Sequence, residues 1–235
     1  MTPCHLRVEP GGQPTEEPTV TTLATEQPTL SLRLREGTRS EHEDAEHSGY
    51  ISKLMGGELD TAAYVALAAQ QYFVYQALES LNDAVRALPQ GESLLFDELL
   101  RTPSIASDLA FLIGSDWEQQ ISPLPATVRY VETLQACATS LPRYAAHAYT
   151  RYLGDLSGGQ IIKRMLERHY AVAPEGLAFY NFAEIPKAKP FKDVYRERLD
   201  ALVFTEDEMA LAITEAQGAF RLNQDLFADL GAQHC

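Results

Sequence analysis

Arg151-Tyr-Leu-Gly-Asp-Leu-Ser-Gly-Gly-Gln160 is the stretch on which the reading of this chain turns. It lies inside a segment, 141–171, whose apolar residues otherwise recur at helical spacing, with Pro142 in the first turn where a missing N–H is harmless. Gly154, Gly158 and Gly159 should each cost about 1 kcal/mol relative to alanine in a helix interior. Missing side chains let a backbone approach a flat or bulky ligand and let a helix kink. Asp155 stands three and four residues before Gly158 and Gly159, so its carboxylate belongs beside the bare patch. A Gly-x-x-x-Gly packing contact at Gly154 and Gly158, or a loop breaking the helix, would explain the same glycines. The segment alone leaves these readings level.

Outward from this stretch the chain stays helical. The clearest helix opens at Asp60, a good N-cap, and runs to Leu88 before Pro89 and Gly91 stop it. Tyr64, Leu67, Ala68, Gln71, Tyr75, Leu78 and Leu81 mark one of its faces. Further helices are expected at 31–48, 94–101, 104–113, 125–138, 190–201 and 206–230. No period-two runs of β-branched residues and no Asn-Gly turns suggest strands. The expectation is an all-α, single-domain, multi-helical bundle over 31–230, with a short tail at 231–235. Trp117 and the Tyr72-Phe73-Tyr75 cluster are expected to pack its core. Residues 1–30, with five prolines and no apolar period, read as a disordered leader.

The chain has 235 residues, 33 Asp+Glu and 19 Lys+Arg, for a formal net charge of -14. That balance excludes a chain-wide electrostatic grip on nucleic acid or on an anionic membrane. No apolar run of membrane-spanning length occurs. The three cysteines, Cys4, Cys137 and Cys235, are too scattered for a disulfide framework, so a cytoplasmic protein is expected. The charge is uneven, however. From Arg143 to Arg198 there are ten basic and six acidic residues, a local +4 that leaves -18 for the rest. Such a region suits an anionic ligand or an acidic partner, although an ordinary mixed surface looks the same.

A second constellation is Glu41-His-Glu-Asp-Ala-Glu-His47. His42 and Glu46 are four apart and share a helix face, as do Glu43 and His47. A carboxylate near an imidazole orients it and raises its basicity as a metal or heme-iron ligand. Thr38, one turn earlier on the His42 face, is small enough not to obstruct a flat ligand. A histidine at a charged helix end is more often simply solvated, and this segment alone favours that reading.

The glycine stretch, preceded by Ala145-Ala-His-Ala-Tyr-Thr-Arg-Tyr152, resembles the distal helix of the heme oxygenases. The His42 segment resembles the proximal helix of that family, particularly its bacterial, biliverdin-producing members. Gly176-Leu-Ala-Phe-Tyr-Asn-Phe182, Phe191-Lys-Asp-Val-Tyr-Arg-Glu-Arg198, Ala219-Phe220 and Asn223 to Leu230 match in the same order, so the resemblance covers about residues 30–230.

The resemblance implies heme held between a proximal and a distal helix. It makes His42 the axial ligand of the iron, with Glu46 accepting from the other ring nitrogen. Gly154 and Gly158 would lie over the distal face, Asp155 would anchor the water network that delivers protons, and Arg151 and Tyr152 would support it. Tyr149, Lys192 and Arg196 match propionate-binding positions, and Arg35 stands where the family often has lysine, exchanging a point donor for a planar fork. The implied chemistry is oxygen- and electron-dependent cleavage of heme b at the α-meso carbon to biliverdin, carbon monoxide and ferrous iron. Heme is then both substrate and cofactor, O2 is the co-substrate, and the electrons come from an acidic ferredoxin or flavoprotein reductase. A monomer without a membrane anchor is expected, acting in heme degradation, with iron acquisition, pigment supply and heme detoxification all open as its purpose. His147 is expected to have a core or supporting role. Two other readings stay open: a heme carrier or sensor without turnover, and a metal-binding or thiamin-processing helical relative using His42, Glu43, Glu46 and His47.

Overall fold

The computed structural model describes Met1, residues 28–46 and residues 48–235. The leader therefore lies almost wholly outside the described residues, as do His47 and the Glu46 side chain. Among the described residues all regular structure is helical, as expected. Its α-helices are α1 (Leu30–Gly37), α2 (Arg39–Glu46), α3 (Gly49–Gly56), α4 (Thr61–Glu79), α5 (Asn82–Arg86), α6 (Thr102–Ile113), α7 (Pro125–Gln135), α8 (Leu141–Ala148), α9 (Gln160–Tyr170), α10 (Ala188–Asp200) and α11 (Glu206–His234).

Two long rods organise the bundle. Helix α4 begins as expected, with Asp60 accepting from the Ala63 N–H, and packs on α6 and α7. Helix α11 opens with a capping box between Thr205 and Glu208. Its buried stripe is Ala212, Ala216, Ala219, Asn223, Leu226 and Leu230. The alanines at three- and four-residue spacing let α8 approach closely, while α7, α1, α2 and α3 pack along the rest of α11. The helix continues through Gly231 to His234, so the expected tail is its last turn.

Several boundaries depart from the sequence reading. The helix expected over 31–48 breaks at Thr38, whose side-chain hydroxyl donates to the Leu34 carbonyl at 2.8 Å and competes with the backbone ladder. Helix α3 was not expected; it ends at Gly57, whose φ of 74° favours glycine. The helix expected over 94–101 is instead a pair of 3-10 turns, Gly91–Leu94 and Asp97–Leu99, with extended backbone at Leu95 and Phe96. The segment over 141–171 is helical throughout, but Tyr149–Leu153 and Asp155–Gly159 are wound as π-helix between α8 and α9. π-turns inside helices cluster at functional sites because they re-aim side chains.

Candidate active site

The π-wound segment and the broken α1–α2 segment face each other across a cavity of about 670 Å³, a size suited to a cofactor-sized ligand. His42, Arg35, Tyr149, Arg151, Gly154, Asp155, Gly158 and Arg196 all line it. These residues span more than 160 positions of sequence, and the fold brings them to one place. Lys192 does not line the cavity. Its ammonium donates to the Ser157 hydroxyl at 2.9 Å, and Ser157 is part of the wall. The proposed bond from His42 to Glu46 lies outside the described residues.

On the proximal side, the break at Thr38 is closed by side chains from α11. Gln217 donates to the Gly37 carbonyl at 2.7 Å, and Gln224 to the Glu41 carbonyl at 3.0 Å. Arg221 reaches the Glu41 carboxylate at 3.4 Å. The Phe220 and His42 rings meet in a T-shaped pair, with centroids 5.6 Å apart. Helix α11 therefore braces the segment that presents His42, at the Gly37 carbonyl beside the break and at Glu41 within α2.

The distal side is a buried polar chain. The Tyr75 hydroxyl of α4 donates to Asp155, and the Arg151 guanidinium lies 4.7 Å over the Tyr75 ring. Arg151 also donates to the Asn223 side-chain oxygen at 2.6 Å, and Asn223 donates to the Ala219 carbonyl at 3.0 Å. Burial pushes the Asp155 carboxyl up to about 6, while Arg151, the Tyr75 hydrogen bond and Arg101 pull the other way. A carboxyl in that range exchanges protons readily near neutral pH. Burial also holds the Tyr75 phenol well above its ordinary range, so it stays a donor.

Two observations make this wall suit a flat ligand with water beside it. A Cβ built on Gly154 or Gly158 would meet nothing within 4 Å, so the bare backbone faces open space. A Cβ on Gly159 would instead sit 3.4 Å from the Tyr180 ring, which makes that glycine a packing contact. The buried Nε and Nη2 of Arg151 and the Tyr180 hydroxyl have no protein partner, and both residues line the cavity. Polar atoms buried in this way call for ordered water.

At the rim, Tyr149 shares the cavity lining with two cations, Arg35 and Arg196. Burial raises its phenol, and Arg196 and Arg35 partly offset that rise. Arg196 also pairs with Asp193 on its own helix at 2.9 Å, both groups being substantially exposed. Arg39, one turn beyond Arg35, adds a further cation to the wall.

Sequence reasoning missed several contributors. Tyr75 was expected only to pack the core; it is buried, but its hydroxyl serves Asp155. Asn223 carried a legible signal, being the one polar residue on the buried stripe of α11. Trp117 is buried as expected and forms a T-shaped pair with Tyr72, which is only partly buried. His147 is fully buried and bonded to Glu215 at 3.2 Å, in keeping with a supporting role.

Three similarities place this architecture among known proteins. The family model described as heme oxygenase matches residues 28–229. The chain is 38% identical to a heme oxygenase of Rhodella violacea over 205 residues, covering 86% of this chain and 87% of the relative. The crystal structure of heme oxygenase-1 from the cyanobacterium Synechocystis sp. PCC6803, a complex with heme, superposes with a TM-score of 0.84 at 35% identity, covering 88% of this chain and 94% of that one.

Proposed function

The chain belongs to the heme oxygenase family and is an enzyme that cleaves heme with O2, and from that premise we propose that the cavity between α2 and the π-wound segment is where it does so. The observation that carries this reading is the convergence of His42, the bare Gly154–Gly158 backbone and Asp155 on one cavity.

In this reading His42 would hold the heme iron, its imidazole kept in place by the α11 contacts at the break. Heme, when bound, supplies the iron that activates O2 and the porphyrin edge that is oxygenated. The open space over Gly154 and Gly158 would leave room for O2 and for water beside a bound heme. Asp155 holds and releases protons through that water, with Tyr75 orienting its carboxylate and Arg151 and Asn223 fixing Tyr75 from behind. In this arrangement the proton-holding group of the wall is a carboxylate that would act through water, rather than an imidazole. Arg35, Tyr149 and Arg196 would bind the propionates, with Lys192 held at the rim by Ser157. Fixing the propionates would fix how the macrocycle is turned in the cavity, and with it which meso carbon is cleaved.

The same reading assigns the electron donor to an acidic protein of the ferredoxin or flavoprotein-reductase class, supported by the local +4 between Arg143 and Arg198. A reduced, cytoplasmic setting is supported by the scattered cysteines.

Supplying electrons and O2 to the heme complex tests the reading. Loss of the Soret band with growth of a biliverdin band is expected. A Soret band that persists, with no biliverdin, would mean storage or sensing rather than turnover. The rim is tested separately by Arg35→Ala, Lys192→Ala and Arg196→Ala together. Heme affinity should fall by about tenfold or more, since charge-assisted bonds contribute roughly 1.5–3 kcal/mol each, and the biliverdin isomers should become mixed. Unchanged affinity with pure α isomer would remove the clamp.

A further inference from the structure

Behind the distal wall lies a cluster that the heme chemistry does not use. Cys137, in the 3-10 turn after α7, His147 on α8 and Glu215 on α11 bring three potential ligand atoms within 4.8 Å of one another. None of the three lines the heme cavity. Cys137 and His147 are fully buried, and the Glu215 side chain is 15% exposed. His147 Nε2 lies 3.2 Å from one Glu215 oxygen, while Nδ1 is buried with no partner. Arg143 lies 3.8 Å from the other Glu215 oxygen, which turns the first oxygen toward the imidazole.

We propose that Cys137, His147 and Glu215 form a second metal site, selective for a cation of the zinc class. The donor set is one sulfur, one imidazole and one carboxylate, the mixture that suits zinc rather than calcium or magnesium. Bonds of about 2.0–2.2 Å at a tetrahedral angle put nitrogen and oxygen roughly 3.3 Å apart, close to the separation found between His147 and Glu215. The thiol, now directed to the Thr133 carbonyl at 3.5 Å, completes the set by a modest turn. Its proton leaves to solvent as the metal–sulfur bond forms. Water reaching the partly exposed Glu215 side supplies the fourth position. The metal would tie the end of α7, α8 and α11 together at the point where α8 leads into the π-wound distal segment. This proposal does not rest on the roles assigned in the heme cavity.

Chelator-treated full-length protein titrated with Zn²⁺ should bind one equivalent, and Co²⁺ as a probe should give a thiolate-to-metal charge-transfer band in the near ultraviolet. Cys137→Ser should abolish that band, and His147→Ala or Glu215→Gln should weaken zinc binding about tenfold or more. Joint replacement of Cys4 and Cys235 by serine should leave the band intact, and the zinc-loaded protein should still take up one heme. X-ray absorption of zinc-loaded wild type, which needs no variant to fold, should show one sulfur among nitrogen and oxygen neighbours. Absence of stoichiometric zinc binding, a sulfur-free shell, a band that survives Cys137→Ser, or zinc that competes with heme would each overturn the proposal.

Discussion

Asp155→Asn protein binds heme with the wild-type Soret band and an affinity within about twofold, yet forms biliverdin at least ~100-fold more slowly, the lower end of what a positioned proton-transfer group contributes. Asparagine keeps the volume of the side chain and an oxygen to accept from Tyr75, so the wall and its π-turns stay in place. It cannot take up or give up a proton. Stopped-flow reduction of the heme complex under O2, followed by product extraction, measures the effect, and full biliverdin yield at the wild-type rate would defeat the proton-delivery role.

The same variant has a second signature in the heme-free protein. Asp155 titrates near 6 in the fold, against an ordinary value of 3.8. Between those values the folded chain holds a proton that the unfolded chain has released, so this group favours folding at low pH and that contribution is lost as pH rises through 6. At pH 8 the wild type therefore carries a penalty on the order of 1–3 kcal/mol that Asp155→Asn lacks. Asp108, also pushed up to about 6 by burial while accepting from the Ala178 and Phe179 N–H groups, is common to both proteins and cancels. A higher melting temperature for the variant at pH 8, shrinking to no difference at pH 4, is expected. Equal melting temperatures at pH 8 would mean that Asp155 is not a strained acid. Activity and stability should thus move in opposite directions at one residue, the pattern of a site held in place by the rest of the fold.

The features that announced themselves in the sequence are those that violate a local rule. Glycines in a helix are conspicuous because they are unfavourable there, so Gly154 and Gly158, with Asp155 between them, are legible without the fold. Asn223 interrupts an apolar stripe in the same way, but in the sequence reading it stands only as the start of a matched segment, and its role was missed. Tyr75 violates nothing: a phenol on an apolar face reads as packing, and only the approach of α4 to the distal segment shows what its hydroxyl does. The break at Thr38 was hidden because the hydroxyl-to-carbonyl bond that marks it is invisible in periodicity, although the residue itself was noticed. Arg39 was lost among the charges of a polar helix, since charge alone does not say which way a helix face points. The π-winding of 149–159 needed tertiary context altogether; the glycines permit it, but α4, α11 and the Phe179–Tyr180 turn packed against it give it direction.

His42→Ala should shift the Soret band of the heme complex and abolish turnover, and added imidazole should restore the wild-type spectrum and part of the activity. Among the described residues His42 is the one histidine that lines the cavity. His147 is sealed behind the distal wall against Glu215, and the His169 ring packs beside Gly57. Heme affinity should fall far less than activity does, because the rim cations and apolar walls remain and only one coordinate bond is removed. Imidazole rescue separates loss of a ligand from collapse of α2, since a collapsed proximal segment would leave no space for the added base. An unchanged Soret band in His42→Ala would move the axial ligand elsewhere, and because the α1–α2 break and its α11 contacts exist in this reading to aim that one imidazole, it would undo the functional account of the proximal wall with it.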